Sequence, residues 1–142
     1  MSDKKCRWGI LGSAGIAQKN WQSIHHAENA ELVAVASRDV AKSQDFINRC
    51  SAQVPHIDKP MALGSYEELL SRDDIDAIYL PLPTGLRPEW ALKVAKAGKH
   101  LLCEKPCGTS LKQVQDIVAA CDRAGVQFMD GVMFMHSERL NK

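Results

Sequence analysis

A glycine-rich stretch, Gly12-Ser13-Ala14-Gly15-Ile16-Ala17, follows the first apolar run of the sequence and opens a helical pattern. On a G-x-G-x-x-G fingerprint Gly12 makes the tight turn, while Ala14 and Ala17 take the places of the second and third glycines. We expect Gly15 to relieve crowding in this loop. The amides and partial positive charge of a helix N-terminus suit a diphosphate, although a plain glycine turn is the alternative. The candidate dinucleotide ligands here are Gly12, Ser13, Ala14, Gly15 and Ile16.

The segment Ala36-Ser37-Arg38-Asp39 lies about 20 residues beyond that loop, where the adenosine ribose of a bound dinucleotide is expected. An acidic residue there would bind the ribose 2′-hydroxyl of NAD, whereas the Ser37 hydroxyl and the Arg38 guanidinium suit the 2′-phosphate of NADP. The sequence therefore predicts NADP as the preferred cofactor. NAD stays possible through Asp39, which also fits a helix cap, and the alternative for Arg38 is a solvated surface charge.

The segment Pro81-Leu82-Pro83-Thr84 follows another apolar run, and its two prolines prevent the strand from continuing. We expect the backbone of Leu82 and Pro83 to line the nicotinamide side of a cofactor crevice. Thr84 is predicted either to bind a phosphate or to cap the next helix.

Glu104 and Lys105 place a carboxylate and an ammonium directly after a further predicted strand. A lysine beside a nicotinamide and a substrate hydroxyl can stabilise the developing alkoxide or relay its proton. Lys105 is therefore the predicted catalytic and substrate-binding residue, and Glu104 and Lys105 are both predicted cofactor contacts. A surface ion pair between the two is the alternative. His136 follows the last predicted strand and is a candidate substrate contact.

Six short apolar runs alternate with helical patterns along the chain. This alternation predicts an α/β fold with a doubly wound, mostly parallel sheet in the order 3-2-1-4-5-6 and helices on both faces. The predicted strands are Arg7–Leu11, Leu32–Ser37, Met61–Leu63, Ala77–Pro81, His100–Cys103 and Val126–Asp130. The predicted helices are one capped by Asp39 from Val40 to Cys50, one opened by the capping box at Ser65 and running to Ser71, one with Pro88 in its first turn running to Ala97, and one running from Ser110 to Gly125.

Length and composition favour a single globular domain over residues 1–142, with 45% apolar residues, 25% charged residues and a net charge of +1. So small a net charge gives no reason to expect nucleic acid or a membrane as a partner. The apolar run after the polar N-terminus is too short for a signal peptide or a membrane span, so we predict a cytoplasmic protein. The five cysteines form no CxxC pair, which predicts reduced, mostly buried thiols and no metal site.

Four motifs are spread along the chain: Trp8-Gly9-Ile10-Leu11-Gly12, Leu80-Pro81-Leu82-Pro83-Thr84, Ala97-Gly98-Lys99-His100 and Glu104-Lys105-Pro106. Together they resemble the glucose-fructose oxidoreductase family, also called the Gfo/Idh/MocA family. The resemblance implies the N-terminal NAD(P)-binding Rossmann domain of an NADP-dependent dehydrogenase or reductase. Its substrate would be a sugar, polyol or dihydrodiol, and Lys105 stands at the family's catalytic lysine.

The same resemblance implies that the family's second, substrate-binding domain is absent, with this chain truncated where that domain starts. Whether the chain is itself an enzyme, and whether it forms a homo-oligomer, therefore stays open. A non-catalytic, stand-alone dinucleotide-binding or sensor module is the alternative function. A flavodoxin-like or SAM-binding domain ranks last, because it gives no role to Arg38 or Lys105.

Overall fold

The computed structural model describes residues 4–132 of the chain. Strands and helices alternate throughout this part, and none of its helices is long and apolar enough to cross a membrane. The strands are β1 (Cys6–Leu11), β2 (Ala30–Ala36), β3 (Met61–Leu63), β4 (Ala77–Leu80), β5 (His100–Cys103) and β6 (Phe128–Asp130). The helices are α1 (Ala17–His26), α2 (Val40–Ser51), α3 (Tyr66–Leu70), α4 (Arg87–Lys96) and α5 (Leu111–Ala124), with a 3₁₀ turn over Thr84–Leu86.

The six strands form one sheet in the order β3-β2-β1-β4-β5-β6, and every neighbouring pair is parallel. The predicted α/β architecture and strand order are confirmed. The order reverses between β1 and β4, which are paired at Trp8, Gly9 and Ile10. In open α/β sheets a ligand crevice lies outside the carboxyl ends of the strands at such a reversal.

Two apolar clusters cover the two faces of the sheet. On one face α3, α4 and α5 pack over side chains such as Leu80 and Leu101, and on the other α1 and α2 pack over Ile10 and Val35. Full burial of an aliphatic side chain of this size stabilises a fold by about 1.5–3 kcal/mol. Four of the five cysteines are buried in these clusters, which confirms the predicted burial of most thiols.

The predicted helix ends are confirmed at three caps. The Asp39 carboxylate accepts a hydrogen bond from Ala41 N at 2.8 Å, and the Ser65 hydroxyl accepts one from Glu68 N at 3.1 Å. Ser110 caps α5 in the same way, and Gly125 ends that helix in the left-handed region at a φ of 66°. These bonds satisfy amides that have no partner within their own helix.

Five boundaries in four strands differ from the prediction by one or two residues. β1 begins at Cys6 and not at Arg7, because Cys6 pairs with Ala30. β6 begins at Phe128 and not at Val126, because Val126 N donates to Cys121 O and completes the end of α5. β2 starts two residues early because its first residues pair with β1, and it ends before Ser37. β4 stops one residue before Pro81.

Candidate functional site

The glycine-rich loop leaves β1 through a sharp turn at Gly12. Its φ is 119°, and its amide donates to Ala36 O at 2.8 Å. A Cβ at this position would lie 2.8 Å from Cδ2 of Leu82, so only glycine fits without strain. Ala17 is fully buried where α1 packs on the sheet. The loop thus has the geometry predicted at both ends of the fingerprint.

The amides of residues 13–16 donate to no group in the described part of the chain. The carbonyls of Ala14, Gly15 and Ile16 accept from the next three amides and start α1, so the free amides lie at the helix N-terminus. A Cβ on Gly15 would meet no protein atom within 4 Å. Gly15 therefore relieves no crowding among residues 4–132, because the loop faces open space, and its role beside a bound diphosphate stays a prediction. This is a cradle of free donors suited to an anion.

Arg38 is the accessible cation at the carboxyl end of β2. Its side chain is exposed and makes no hydrogen bond or ion pair within residues 4–132. Burial raises the pKa of Tyr66, and the positive charge of nearby Arg38 opposes this rise. Ser37 is only 4% exposed, so Arg38 offers the larger accessible surface. Asp39 is engaged as the cap of α2, which leaves its carboxylate less available to a ribose.

The loop after β4 lies against the glycine-rich loop, as the strand order predicts. Leu82 is 3% exposed and sits next to Gly12, while the Pro83 carbonyl accepts from Leu86 N at 2.9 Å. The prediction that Thr84 caps the following helix is wrong. α4 begins three residues later, after the 3₁₀ turn, and the Thr84 hydroxyl instead accepts from Arg87 Nη1 at 3.1 Å.

The loop after β5 gives the predicted carboxylate and ammonium different surroundings. The Tyr79 hydroxyl donates to Glu104 Oε1 at 2.8 Å, and the backbone amide of Lys105 donates to Glu104 Oε2 at 3.2 Å. The Lys105 side chain is exposed and forms no ion pair within residues 4–132. The alternative of a surface ion pair between Glu104 and Lys105 is therefore not what the structure shows.

Tyr79 itself is buried within β4 at 1% exposure. Burial raises the pKa of its hydroxyl well above the usual range, and the hydrogen bond to the Glu104 carboxylate raises it further. The hydroxyl therefore stays protonated and acts as a donor. Sequence reasoning missed this contact because a tyrosine in a continuous apolar strand looks the same as any other buried aromatic residue.

Arg87 connects the loop after β4 with the loop after β5. Sequence reasoning missed this residue as well. Its side chain is 8% exposed, and Nη1 donates to Pro106 O at 2.7 Å as well as to the Thr84 hydroxyl. Nε is buried and has no partner in the described part of the chain. The only available signal was an arginine at the start of a helix, where exposed charges are common.

The last predicted contact, His136, lies outside the described residues. The other predicted residues all lie at the carboxyl edge of the sheet, in four loops. From the glycine-rich loop come Gly12, Ser13, Ala14, Gly15 and Ile16, from the β2 end Ser37 and Arg38, and from the two later loops Leu82, Pro83, Thr84, Glu104 and Lys105.

Comparison with known proteins gives a consistent result. A family model, GFO_IDH_MocA, described as an oxidoreductase family with an NAD-binding Rossmann fold, matches residues 6–132. The chain is 41% identical over 127 residues to D-xylose 1-dehydrogenase (NADP(+)) 2 of Haloferax volcanii, a match that covers 89% of this chain and 37% of that protein.

Solved structures agree with the sequence match. KijD10, a 3-ketoreductase from Actinomadura kijaniata in complex with NADP, superposes with a TM-score of 0.85 at 32% identity, over 97% of this chain and 42% of that one. The WlbA dehydrogenase from Bordetella pertussis, in complex with NADH and UDP-GlcNAcA, gives a TM-score of 0.74 at 30% identity, over 89% of this chain and 37% of that one. The chain thus spans about two fifths of the length of these relatives.

Proposed function

The chain belongs to the Gfo/Idh/MocA oxidoreductase family, and from that premise we propose that it is the nucleotide-binding half of an NADP-dependent dehydrogenase or reductase. The observation that carries the proposal is the run of free amides at residues 13–16, at the point where the strand order reverses. These amides fit a diphosphate because they supply donors and the positive end of a helix dipole, with no competing acceptor among residues 4–132.

Cofactor preference rests on Arg38. An exposed guanidinium beside the β2 end can bind a 2′-phosphate through charge-assisted hydrogen bonds, and Asp39 is already engaged as a helix cap. NADP in the name of the Haloferax relative and in the KijD10 complex supports this preference. The NADH complex of WlbA supports the NAD alternative.

The proposed catalytic residue is Lys105. A nicotinamide supplies the hydride acceptor or donor when it is bound. Lys105 lies at the same edge of the sheet, exposed and without an ion pair in residues 4–132, so its ammonium is available to a substrate oxygen. There it would donate a hydrogen bond to a hydroxyl or carbonyl of a sugar-like or polyol-like substrate and stabilise the charge that develops on that oxygen.

The remaining assignments are part of the same proposal. Leu82, Pro83, Thr84 and Glu104 border the crevice from the two later loops, and His136 is proposed as a further substrate contact. Ser13, Ala14, Gly15 and Ile16 would bind the diphosphate, with Gly12 making the turn that presents them.

Calorimetric titration of the chain with NADPH and with NADH tests the proposal. We expect Arg38→Ala to weaken NADPH binding by about 10–100-fold, as for loss of one charged hydrogen-bonding partner, and to leave NADH binding almost unchanged. Arg49→Ala is the matched control, because Arg49 is an exposed arginine on α2 that pairs with Asp45 on its own helix. Failure of the wild-type chain to bind either nucleotide would contradict the proposal, and an equal loss for both nucleotides would contradict the role of Arg38.

A further inference from the structure

A buried hydroxyl in the central part of the sheet reaches the loop that carries Lys105. Tyr79 pairs with Ile10 of β1 and with Leu102 of β5, so its backbone lies beside the point where the strand order reverses. Its ring is 1% exposed, and its hydroxyl donates to Glu104 Oε1 at 2.8 Å. The side chain of Asn20, on the helix that follows the glycine-rich loop, opposes the rise in the pKa of this hydroxyl.

The Glu104 carboxylate is held from two further directions. Oε2 accepts the backbone amide of Lys105 at 3.2 Å. Gly131 packs against the same oxygen so closely that a Cβ there would lie 3.0 Å from it, and its amide donates to Cys103 O at 2.8 Å. The carboxylate is therefore turned toward the sheet, and it forms no ion pair with the ammonium of the adjacent Lys105.

We propose that Tyr79 is a positioning residue whose hydroxyl holds the Glu104 carboxylate on the sheet side of the loop and thereby prevents an ion pair between Glu104 and Lys105. Without this hydrogen bond, Oε1 has no side-chain donor on the sheet side, and the adjacent ammonium becomes the stronger partner for the carboxylate. The inference rests on the proposed function, because it matters only if the Lys105 amine must reach a substrate oxygen. Tyr79 acts through Glu104 and is not assigned any contact with substrate.

The test measures how fast Lys105 reacts with an acetylating N-hydroxysuccinimide ester, followed by peptide mass spectrometry in the absence of nucleotide. An ion pair stabilises the ammonium at the expense of the reactive amine, so Tyr79→Phe is expected to slow acetylation of Lys105 by about threefold to fivefold. Lys93, which is already paired with Glu89, serves as an internal reference and should react at an unchanged rate.

Tyr66→Phe is the matched control variant. Tyr66 is also buried, at 9% exposure, its hydroxyl makes no hydrogen bond in the described part of the chain, and its ring contact with Trp90 survives the change. The Lys105 rate should therefore stay at the wild-type value. The double variant Tyr79→Phe with Glu104→Gln should restore the Lys105 rate, because a neutral amide cannot form the ion pair.

A further variant, Glu104→Asp, tests the same hydrogen bond if Tyr79→Phe does not fold. Glu104→Asp keeps the charge but is one methylene shorter, so its carboxylate no longer reaches Tyr79, and it should slow Lys105 in the same way. Equal Lys105 rates in the wild type and in a folded Tyr79→Phe would overturn the proposal. A slow Lys105 rate that persists in the double variant Tyr79→Phe with Glu104→Gln would also overturn it, since that would indicate general loosening of the loop. NADPH titration of the same samples is read separately, so failure of nucleotide binding would refute the proposed function without changing the outcome for Tyr79.

Discussion

Replacing Gly12 with alanine perturbs the glycine-rich loop at the residue where the backbone leaves β1. With a φ of 119°, this position lies in a region that costs an L-residue about 1–3 kcal/mol. The added Cβ would also lie 2.8 Å from Cδ2 of Leu82, a side chain that is 3% exposed and cannot move freely. Overpacking of this kind costs about 1–3 kcal/mol, so the free energy of unfolding should fall by about 2–6 kcal/mol.

Urea unfolding followed by tryptophan fluorescence measures this change, and we expect the midpoint to fall by about 1–3 M. Gly15→Ala is the matched control in the same loop. Its Cβ would meet no protein atom within 4 Å and its φ is not positive, so stability should change by less than about 0.5 kcal/mol. The methyl group would nevertheless point into the space proposed for the diphosphate, and NADPH affinity should fall by about tenfold or more. A Gly12→Ala variant as stable as the wild type would refute the argument from φ and contact distance.

Two further predictions concern groups that stabilise the amino-terminal edge of the sheet, opposite the candidate site. The Arg7 guanidinium holds the pKa of Asp76 well below its usual range, so the ion pair stabilises the fold above about pH 4 and this contribution is lost as the pH falls further. Asp76→Asn should therefore lower stability at pH 7 by about 1–3 kcal/mol and flatten the loss below pH 4, and parallel curves of stability against pH for the two proteins would contradict this. Lys99 is 6% exposed and donates to two main-chain carbonyls at 2.6 and 2.8 Å. Lys99→Met should cost about 2–4 kcal/mol in urea unfolding because both acceptors lose their donor, and an unshifted midpoint would show that water replaces it.

Most of the fold could be predicted from the sequence because its signals are local. Alternating apolar runs and capping residues such as Ser65 and Ser110 mark the elements, and the parallel strand order follows from the crossover rules for such units. The boundaries at Val126 and Ser37 differed from the prediction because they depend on which neighbour takes one backbone hydrogen bond.

The candidate site could also be predicted in part: its residues could be located from the sequence, but their contacts could not. Residues directly after the strands could be placed at one edge of the sheet by topology alone, which is how Arg38 and Lys105 were found. The hydrogen-bond partners of individual side chains could not be predicted, because they depend on three-dimensional packing. Tyr79 reaches Glu104 across 25 positions of sequence, and Arg87 reaches Pro106 across 19. Neither distance leaves a pattern in the sequence.

We propose above that the carboxyl edge of the sheet binds NADP with its diphosphate on the amides of residues 13–16. A crystal structure of this chain with NADP⁺ would show whether it does. We expect the diphosphate on those amides, the 2′-phosphate against Arg38 and the nicotinamide toward the loop that carries Lys105. A dinucleotide bound with its diphosphate away from the glycine-rich loop, or a chain that takes up no NADP⁺ at saturating concentration, would contradict it.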